Sequence, residues 1–162
     1  MTRLHETIET TLPLADTFAF IADFANAQVW DPGTLASTRI GDGPVGVGAT
    51  YDLSVKMSGG AAPMTYTIET LEPDRRVVLR GEGERASARD DIRFEATPAG
   101  GTRVDYTADI ELKGWLRLLQ PLLGGAFRKL GDDARTGMTR ALAERAAARA
   151  AASAAASAAT VR

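Results

Sequence analysis

Two carboxylic acids interrupt the apolar side of predicted strands, and they are the residues best suited to move a proton. Glu6 lies between Leu4 and Ile8 in an alternating segment, and Asp90 shares the parity of the apolar residues in segment 86–94. A carboxyl group that folding removes from water loses the solvation of its charge, so its pKa rises toward neutrality. Glu6 and Asp90 are therefore the candidate catalytic residues, as a general acid or base, if the protein is an enzyme.

Both carboxylates also have a structural interpretation. Either side chain would be solvated near the end of its strand, and either would be neutralised by an arginine such as Arg80. A β-bulge at residues 90–91 would shift the register and turn Asp90 outward. The sequence alone leaves the catalytic and the structural interpretation open.

A second group of residues has the composition of a ligand-binding wall. All three tyrosines share the strand parity of large apolar side chains, and a phenol combines an apolar ring with one polar group. Ligand pockets are mostly apolar with a few polar groups, so this face suits an aromatic or oxygenated ligand; the alternative is a simple packed core. The candidate ligand-binding residues on the strands are Tyr51, Leu53, Val55, Met57, Met64, Tyr66, Ile68, Phe94, Tyr106 and Ala108.

Four further ligand-binding candidates lie outside the strands. Leu119, Leu123 and Phe127 belong to an apolar stripe at helical spacing that would face the sheet. Trp30 follows the first predicted helix and is either a gate at the mouth of a cavity or a plug at the end of the core. In the second case Asp31 caps a turn.

The residue types that most metals and cofactors need are scarce. Cysteine is absent and His5 is the only histidine, which excludes disulfides, Cys–zinc sites, iron–sulfur clusters and a His-rich metal site. The glycine-rich segment 41–48 lacks the Lys-Ser/Thr ending and the following helix of a phosphate-binding loop. The acidic pairs at 90–91 and 132–133 are too isolated for a metal cage. We therefore expect no metal and no cofactor.

Composition narrows the class of protein. The chain has 162 residues and a formal net charge of −2, which is about one domain without the basic excess of a nucleic-acid-binding protein. No apolar run approaches the roughly 20 residues of a membrane span, and no signal-peptide pattern opens the sequence. We expect a cytoplasmic protein with no stable membrane insertion. Arginine far outnumbers lysine, which indicates GC-rich bacterial coding.

Hydropathy periodicity predicts the elements that hold these side chains. A strand at 3–12 precedes a helix at 14–26, and turn residues occupy 26–33. A loop is predicted at 58–63. Consecutive strands with short turns must be mostly antiparallel. The six strands that follow the helix are predicted at 35–40, 51–57, 64–69, 76–80, 86–95 and 103–112.

From residue 114 the periodicity becomes helical and continues to about residue 145. Pro121 and the glycines at 124–125 interrupt this helix, which indicates either a flexible lid or a kink that lets the helix follow the sheet. Residues 146–159 are mostly alanine, which favours helix but offers no large side chain for docking. We expect the Ala-rich tail at 146–162 to be a frayed helix extension or disordered.

Several short motifs, in this order and spacing, resemble the SRPBCC superfamily of START-like, helix-grip proteins. They are residues 13–23 (PLADTFAFIAD), 30–33 (WDPG), 46–48 (GVG), 114–117 (GWLR) and 120–123 (QPLL). The pattern is most similar to the polyketide cyclase/dehydrase-like and lipid-transport-like group. The resemblance implies an α+β fold, in which a curved antiparallel sheet of about seven strands wraps around a long C-terminal helix and an apolar cavity lies between them. One or two short helices follow the first strand, and a single domain covers residues 1–145.

Three functions are compatible with these observations. The first is binding, transport or sequestration of a small hydrophobic molecule such as a lipid, polyketide or isoprenoid. The second is a polyketide cyclase, aromatase or dehydratase in which Glu6 or Asp90 moves protons while Tyr51, Tyr66 or Tyr106 polarises a carbonyl. The third is a protein-interaction module with a collapsed cavity. The sequence favours the first, because it lacks an internal histidine and any strong catalytic pair. It leaves open whether the protein is a monomer or a homodimer.

Overall fold

The computed structural model describes residues 1–57 and 60–160, and its main element is one antiparallel sheet of seven strands. Along the sheet the strand order is β1-β7-β6-β5-β4-β3-β2, so the first two strands in sequence form its opposite edges. The strands are β1 (Thr2–Thr10), β2 (Thr34–Ile40), β3 (Thr50–Met57), β4 (Gly60–Glu72), β5 (Arg76–Gly83), β6 (Ala86–Ala96) and β7 (Thr102–Leu112).

The helical elements lie between β1 and β2 and after β7. Helix α1 is followed by a short 3-10 helix, η1, and by α2; a second 3-10 helix, η2, leads into α3. This arrangement confirms the expected helix-grip α+β fold, with a long C-terminal helix packed on the sheet. The bounds are α1 (Leu14–Ala22), η1 (Phe24–Asn26), α2 (Ala27–Trp30), η2 (Gly114–Leu123) and α3 (Gly124–Thr160).

Three local predictions differ from the structure. The helix expected at 14–26 ends at Ala22, because Asp23 has extended backbone angles and its carboxylate accepts a hydrogen bond from the Ala25 amide at 3.3 Å. The turn residues 26–33 contain the one-turn helix α2. In the loop expected at 58–63, β4 already begins at Gly60; residues 58–59 lie outside the described residues.

The interruption expected near Pro121 marks a change of helix type. Residues 114–123 form a 3-10 helix, and α-helix begins only at Gly124. Proline has no backbone N–H to donate and its ring crowds the preceding turn, which disfavours regular α-helix around position 121. The structure therefore places a distinct segment, η2, between the sheet and α3.

The two faces of the sheet differ in polarity. On the outer face, arginine and aspartate side chains pair across neighbouring strands, as Arg3 does with Asp109 and Arg76 with Asp91. On the inner face, apolar side chains pack beneath α1, α2 and α3. The α3 stripe predicted from periodicity is buried at Met138, with Leu142 beside it. The main core thus lies between the sheet and a helical layer made by α1, η1, α2 and the part of α3 around Met138 and Leu142.

The second half of α3 is an exposed extension. Residues 147–159 are solvent-exposed, although Arg149 forms an ion pair with Asp16. Surface ion pairs of this kind contribute at most about 1 kcal/mol.

Deleting residues 150–162 is expected to change the melting temperature by less than about 4 °C, because no described side chain in that stretch is buried. Thermal unfolding followed by circular dichroism measures this. As the control, Leu142→Ala on the same helix should cost about 2–5 kcal/mol, because Leu142 is fully buried. A decrease in melting temperature of more than about 4 °C on truncation would mean that the tail packs against the rest of the protein.

Candidate functional site

A cavity of about 850 Å³ lies between the inner face of the sheet and the chain from η2 into α3. Strands β1, β3, β4, β6 and β7 supply one wall, and α2 with the following turn closes one side. Most lining side chains are apolar, because alternation along each strand sends every second residue inward. The volume lies in the range of small-molecule pockets.

Thirteen of the sixteen candidate site residues line this cavity. The candidate acids Glu6 and Asp90 are both among them. The ligand-binding candidates that line it are Trp30, Leu53, Val55, Met57, Met64, Tyr66, Tyr106, Ala108, Leu119, Leu123 and Phe127.

The remaining three candidates, Tyr51, Ile68 and Phe94, are buried in the packed core and do not line the cavity. Phe94 packs edge-on against Phe18 of α1, with ring centroids 5.2 Å apart. Their strand parity is inward, as predicted. They lie where α1 and η1 cover the sheet, however, so the space that the cavity occupies elsewhere is filled there by helix side chains.

Asp90 lies at the inner wall of the cavity and is 3% exposed. The pairings of β6 with β5 and β7 run without a shift through residues 90–91, so no bulge turns it outward. The hydroxyl of Tyr106 donates a hydrogen bond to Asp90 Oδ1 at 3.3 Å. Burial, followed by the negative charge of Asp31, raises the pKa of Asp90 to about 7.

The two cavity tyrosines stay protonated. Burial, with the charges of Asp90 and Asp31, raises the pKa values of Tyr66 and Tyr106 well above their ordinary value. Both phenols are therefore hydrogen-bond donors across the physiological range. The ring of Tyr66 lies so close to β5 that a Cβ on Gly81 would be 2.5 Å from its Cζ, which explains the glycine at this position.

Glu6 differs from Asp90, although the sequence pattern treats the two alike. Its carboxylate lies 3.3 Å from the guanidinium of Arg135 on α3, and its side chain is 20% exposed. Glu6 therefore has a cationic partner and contact with solvent, whereas Asp90 is buried beside Tyr106. The geometry favours Asp90 over Glu6 as the candidate acid or base.

Trp30 and Asp31 form one end of the cavity wall. Trp30 is 1% exposed, and its ring contacts those of Phe24 and Tyr106 edge-on, with centroids 5.7 and 6.0 Å away. It is thus a buried wall residue and not an exposed gate. Asp31 accepts hydrogen bonds from the Gly33 amide and the Thr34 hydroxyl, both at 2.8 Å, and so caps the turn. Burial raises the pKa of Asp31 as well.

The mouth of the cavity carries exposed apolar residues that the candidate list does not contain. Trp115 of η2 lines the cavity and is 71% exposed, while its neighbours Leu118 and Leu122 are each 80% exposed. The sequence predicted that this segment begins the long helix, with an interruption at Pro121. A change to 3-10 geometry rotates side chains relative to an α-helical stripe, so periodicity alone does not place them.

The described residues contain no cluster of three or more His, Asp or Glu side chains arranged to hold a metal ion. Within the same ranges, no helix has the length and apolar character needed to cross a membrane.

A curved antiparallel sheet, a long C-terminal helix and a cavity between them define a START-like, helix-grip protein. The chain belongs to the family described as polyketide cyclase/dehydrase and lipid transport, whose sequence profile matches residues 1–157. No curated protein matches the sequence significantly.

Solved structures share this fold at low sequence identity. The Zhui aromatase/cyclase from Streptomyces sp. R1128 superposes with a TM-score of 0.72 at 15% identity, over 92% of this chain and 95% of that one. A START superfamily protein from Mycobacterium smegmatis gives a TM-score of 0.68 at 15% identity, over 88% and 95% of the two chains. A Thermus thermophilus protein, TTHA0849, gives 0.70 at 14% identity, over 87% and 97%. At such identities the likeness concerns the fold alone.

Proposed function

We propose that this protein binds a small hydrophobic molecule, such as a lipid, polyketide or isoprenoid, in the cavity beneath η2 and releases it unchanged. The observation that carries this proposal is the cavity of about 850 Å³, whose mostly apolar walls include the polar side chains of Tyr66, Asp90 and Tyr106. Burial of apolar ligand surface supplies about 25 cal/mol per Å² removed from water. The family description, which includes lipid transport, supports the same function.

The polar groups would orient the bound ligand. The hydroxyl of Tyr106 donates to Asp90, so the protonated phenol of Tyr66 is the donor for a carbonyl on the ligand, while Asp90 and the Tyr106 oxygen can accept from a ligand hydroxyl. The rest of the molecule would extend toward Leu119 and Leu123 at the mouth. A buried polar group on the ligand is tolerated only where such partners exist.

Native mass spectrometry of the protein purified from its own host tests this function directly. A discrete co-purified mass is expected, and incubation should leave that mass unchanged. A bound ligand whose mass does change would instead favour the second candidate function.

That second candidate is a cyclase, aromatase or dehydratase acting on a polyketide-like substrate. It is favoured by one observation, the hydrogen bond between Tyr106 and an Asp90 whose pKa is about 7. A carboxyl group that titrates near neutrality is matched to proton transfer, and a phenol can polarise a carbonyl. Glu6, paired with Arg135, has no comparable role in this geometry.

Tyr66→Phe is expected to weaken the binding of a naphthyl ketone fluorophore by roughly two- to tenfold, which corresponds to the loss of one hydrogen bond. Binding of the parent naphthalene, which has no carbonyl, should not change. Fluorescence titration measures both dissociation constants. Tyr51→Phe is the matched control, because that phenol lies outside the cavity wall. Equal ketone affinity in wild type and Tyr66→Phe would show that Tyr66 does not contact the ligand's polar group.

A further inference from the structure

The polar end of the cavity is acidic. Asp90 and Asp31 both line it. The negative charges of Asp31 and Asp109 raise the pKa of Asp90, and that of Asp133 raises the pKa of Asp31. Among the described residues, no lysine or arginine contributes to the pKa of either group. Asp90 is buried and Asp31 is partly buried, and a buried carboxylate without a cation is costly to keep charged.

The cations near the cavity are engaged or solvated elsewhere. Arg135 pairs with Glu6, and Lys113 donates hydrogen bonds to Glu82 and to the Gly83 carbonyl. Two further lining cations, Lys56 and Arg85, are solvent-exposed. The protein's own side chains therefore leave Asp90 without a positive partner.

Aromatic rings surround the same end of the cavity. Phe24, Trp30, Tyr66 and Tyr106 all line it. They form a contiguous group, with ring centroids 5.1 Å apart for Phe24 and Tyr66 and 6.0 Å apart for Trp30 and Tyr106. Aromatic rings attract cations, and several rings together recognise amines and quaternary ammonium groups. A carboxylate among them adds direct charge complementarity.

From this juxtaposition of the buried Asp90 and the partly buried Asp31 with four aromatic rings, we infer that the cavity takes an amphiphile whose inner end is a cationic nitrogen, an amine or a quaternary ammonium group. The inference rests on the proposed binding function and adds to it the chemical class of the ligand. The apolar body of such a molecule fills the cavity, and its nitrogen lies beside Asp90 among the rings.

Binding of such a cation depends on pH through the acids that face it. Asp90 on β6, with a pKa of about 7, faces Tyr106 on β7, Tyr66 on β4 and Asp31 after α2; the charge of Asp109 on β7 acts on it from the outer face. The phenols stay neutral, and Glu6 remains paired with Arg135. Because ionised Asp90 attracts a cation and protonated Asp90 does not, the affinity for the cation rises from pH 6 to pH 8.

Four molecules with the same ten-carbon chain test the inference: decylamine, decyltrimethylammonium, decanol and decanoate. Calorimetric titration below micellar concentrations at pH 8 gives each dissociation constant. The two cations are expected to bind wild type at least about tenfold more tightly than decanol, with decanoate weakest. Lowering the pH to 6 should reduce the preference for decylamine over decanol, and this measurement needs no variant.

Asp90→Asn removes the charge and keeps the shape of the side chain. It should bring decylamine and decanol to within about twofold of each other and leave decanol affinity close to wild type. Asp105→Asn is the matched control, because Asp105 lies on the outer face of β7, accepts a hydrogen bond from the Thr7 hydroxyl, and is not among the charges that act on Asp90. That variant should keep the preference for the cation.

The possible failures are distinguishable. If neither decanol nor the cations bind, the proposed hydrophobic-ligand function is wrong. If decanol binds as tightly as decylamine to wild type, that function stands and the cationic inference is overturned. A pH-independent preference, or one that survives in Asp90→Asn, also overturns it.

Discussion

Asp90→Asn is expected to raise the free energy of unfolding at pH 8 by roughly 2–4 kcal/mol. The wild-type residue has its pKa raised from 3.8 to about 7 in the folded state, chiefly by burial. Each unit of pKa difference corresponds to about 1.4 kcal/mol, so ionised Asp90 opposes folding by up to roughly 4 kcal/mol. A neutral amide avoids this cost and can still accept the hydrogen bond from Tyr106.

The pH dependence gives the sign of the effect. The folded state binds more protons than the unfolded state between the two pKa values, so wild-type stability falls as the pH rises from about 4 through 7. The advantage of Asp90→Asn should therefore grow by roughly 3 kcal/mol from pH 5 to pH 8. Urea denaturation across this range measures it.

Asp91→Asn provides a neighbouring control with the opposite sign. Hydrogen bonds from Arg76, at 2.8 and 2.6 Å, lower the pKa of Asp91. Ionised Asp91 therefore stabilises the folded state above about pH 4, and this stabilisation is lost at lower pH. The pair is partly exposed, so the substitution should cost only about 1 kcal/mol at pH 7. An Asp90→Asn variant that is less stable than wild type at pH 8 would contradict our account of Asp90.

Filling the cavity should have the largest effect on binding. Ala108 lies on β7 and lines the cavity beside Asp90, its pairing partner on β6. Ala108→Trp places an indole in the space that a ligand would occupy, so affinity for any apolar probe should fall at least about tenfold. Fluorescence titration with the naphthyl probes measures the loss, and circular dichroism verifies the fold.

Thr107→Trp is the control for Ala108→Trp. Thr107 is the preceding residue on the same strand and faces outward, where its hydroxyl contacts the His5 ring at 3.0 Å. Probe affinity should stay at the wild-type value in this variant. If Ala108→Trp is folded and still binds the probe normally, the ligand site lies elsewhere on the protein.

Local pattern was sufficient to predict the strands and the direction of most side chains. Alternation placed Asp90 inward and Asp91 outward, and the structure has both orientations. Likewise, the change to helical spacing after residue 113 predicted the long final helix. These features depend on residues a few positions apart, whose geometry the backbone period sets directly. Pro121 predicted a break in the final helix but not the 3-10 geometry of residues 114–123, because the choice between 3-10 and α geometry depends on what the segment packs against.

What the sequence determined by itself is the inward set of side chains; only the tertiary structure decided which of them meet a cavity. Tyr51, Tyr66 and Tyr106 have the same parity, but α1 and η1 cover the sheet near Tyr51 and leave the other two at the cavity. Glu6 and Asp90 have equivalent patterns, but Glu6 pairs with Arg135 from α3, while Asp90 is buried where the charge of Asp31 acts on it. These differences arise from contacts between residues far apart in the chain, which alternation within one strand cannot encode.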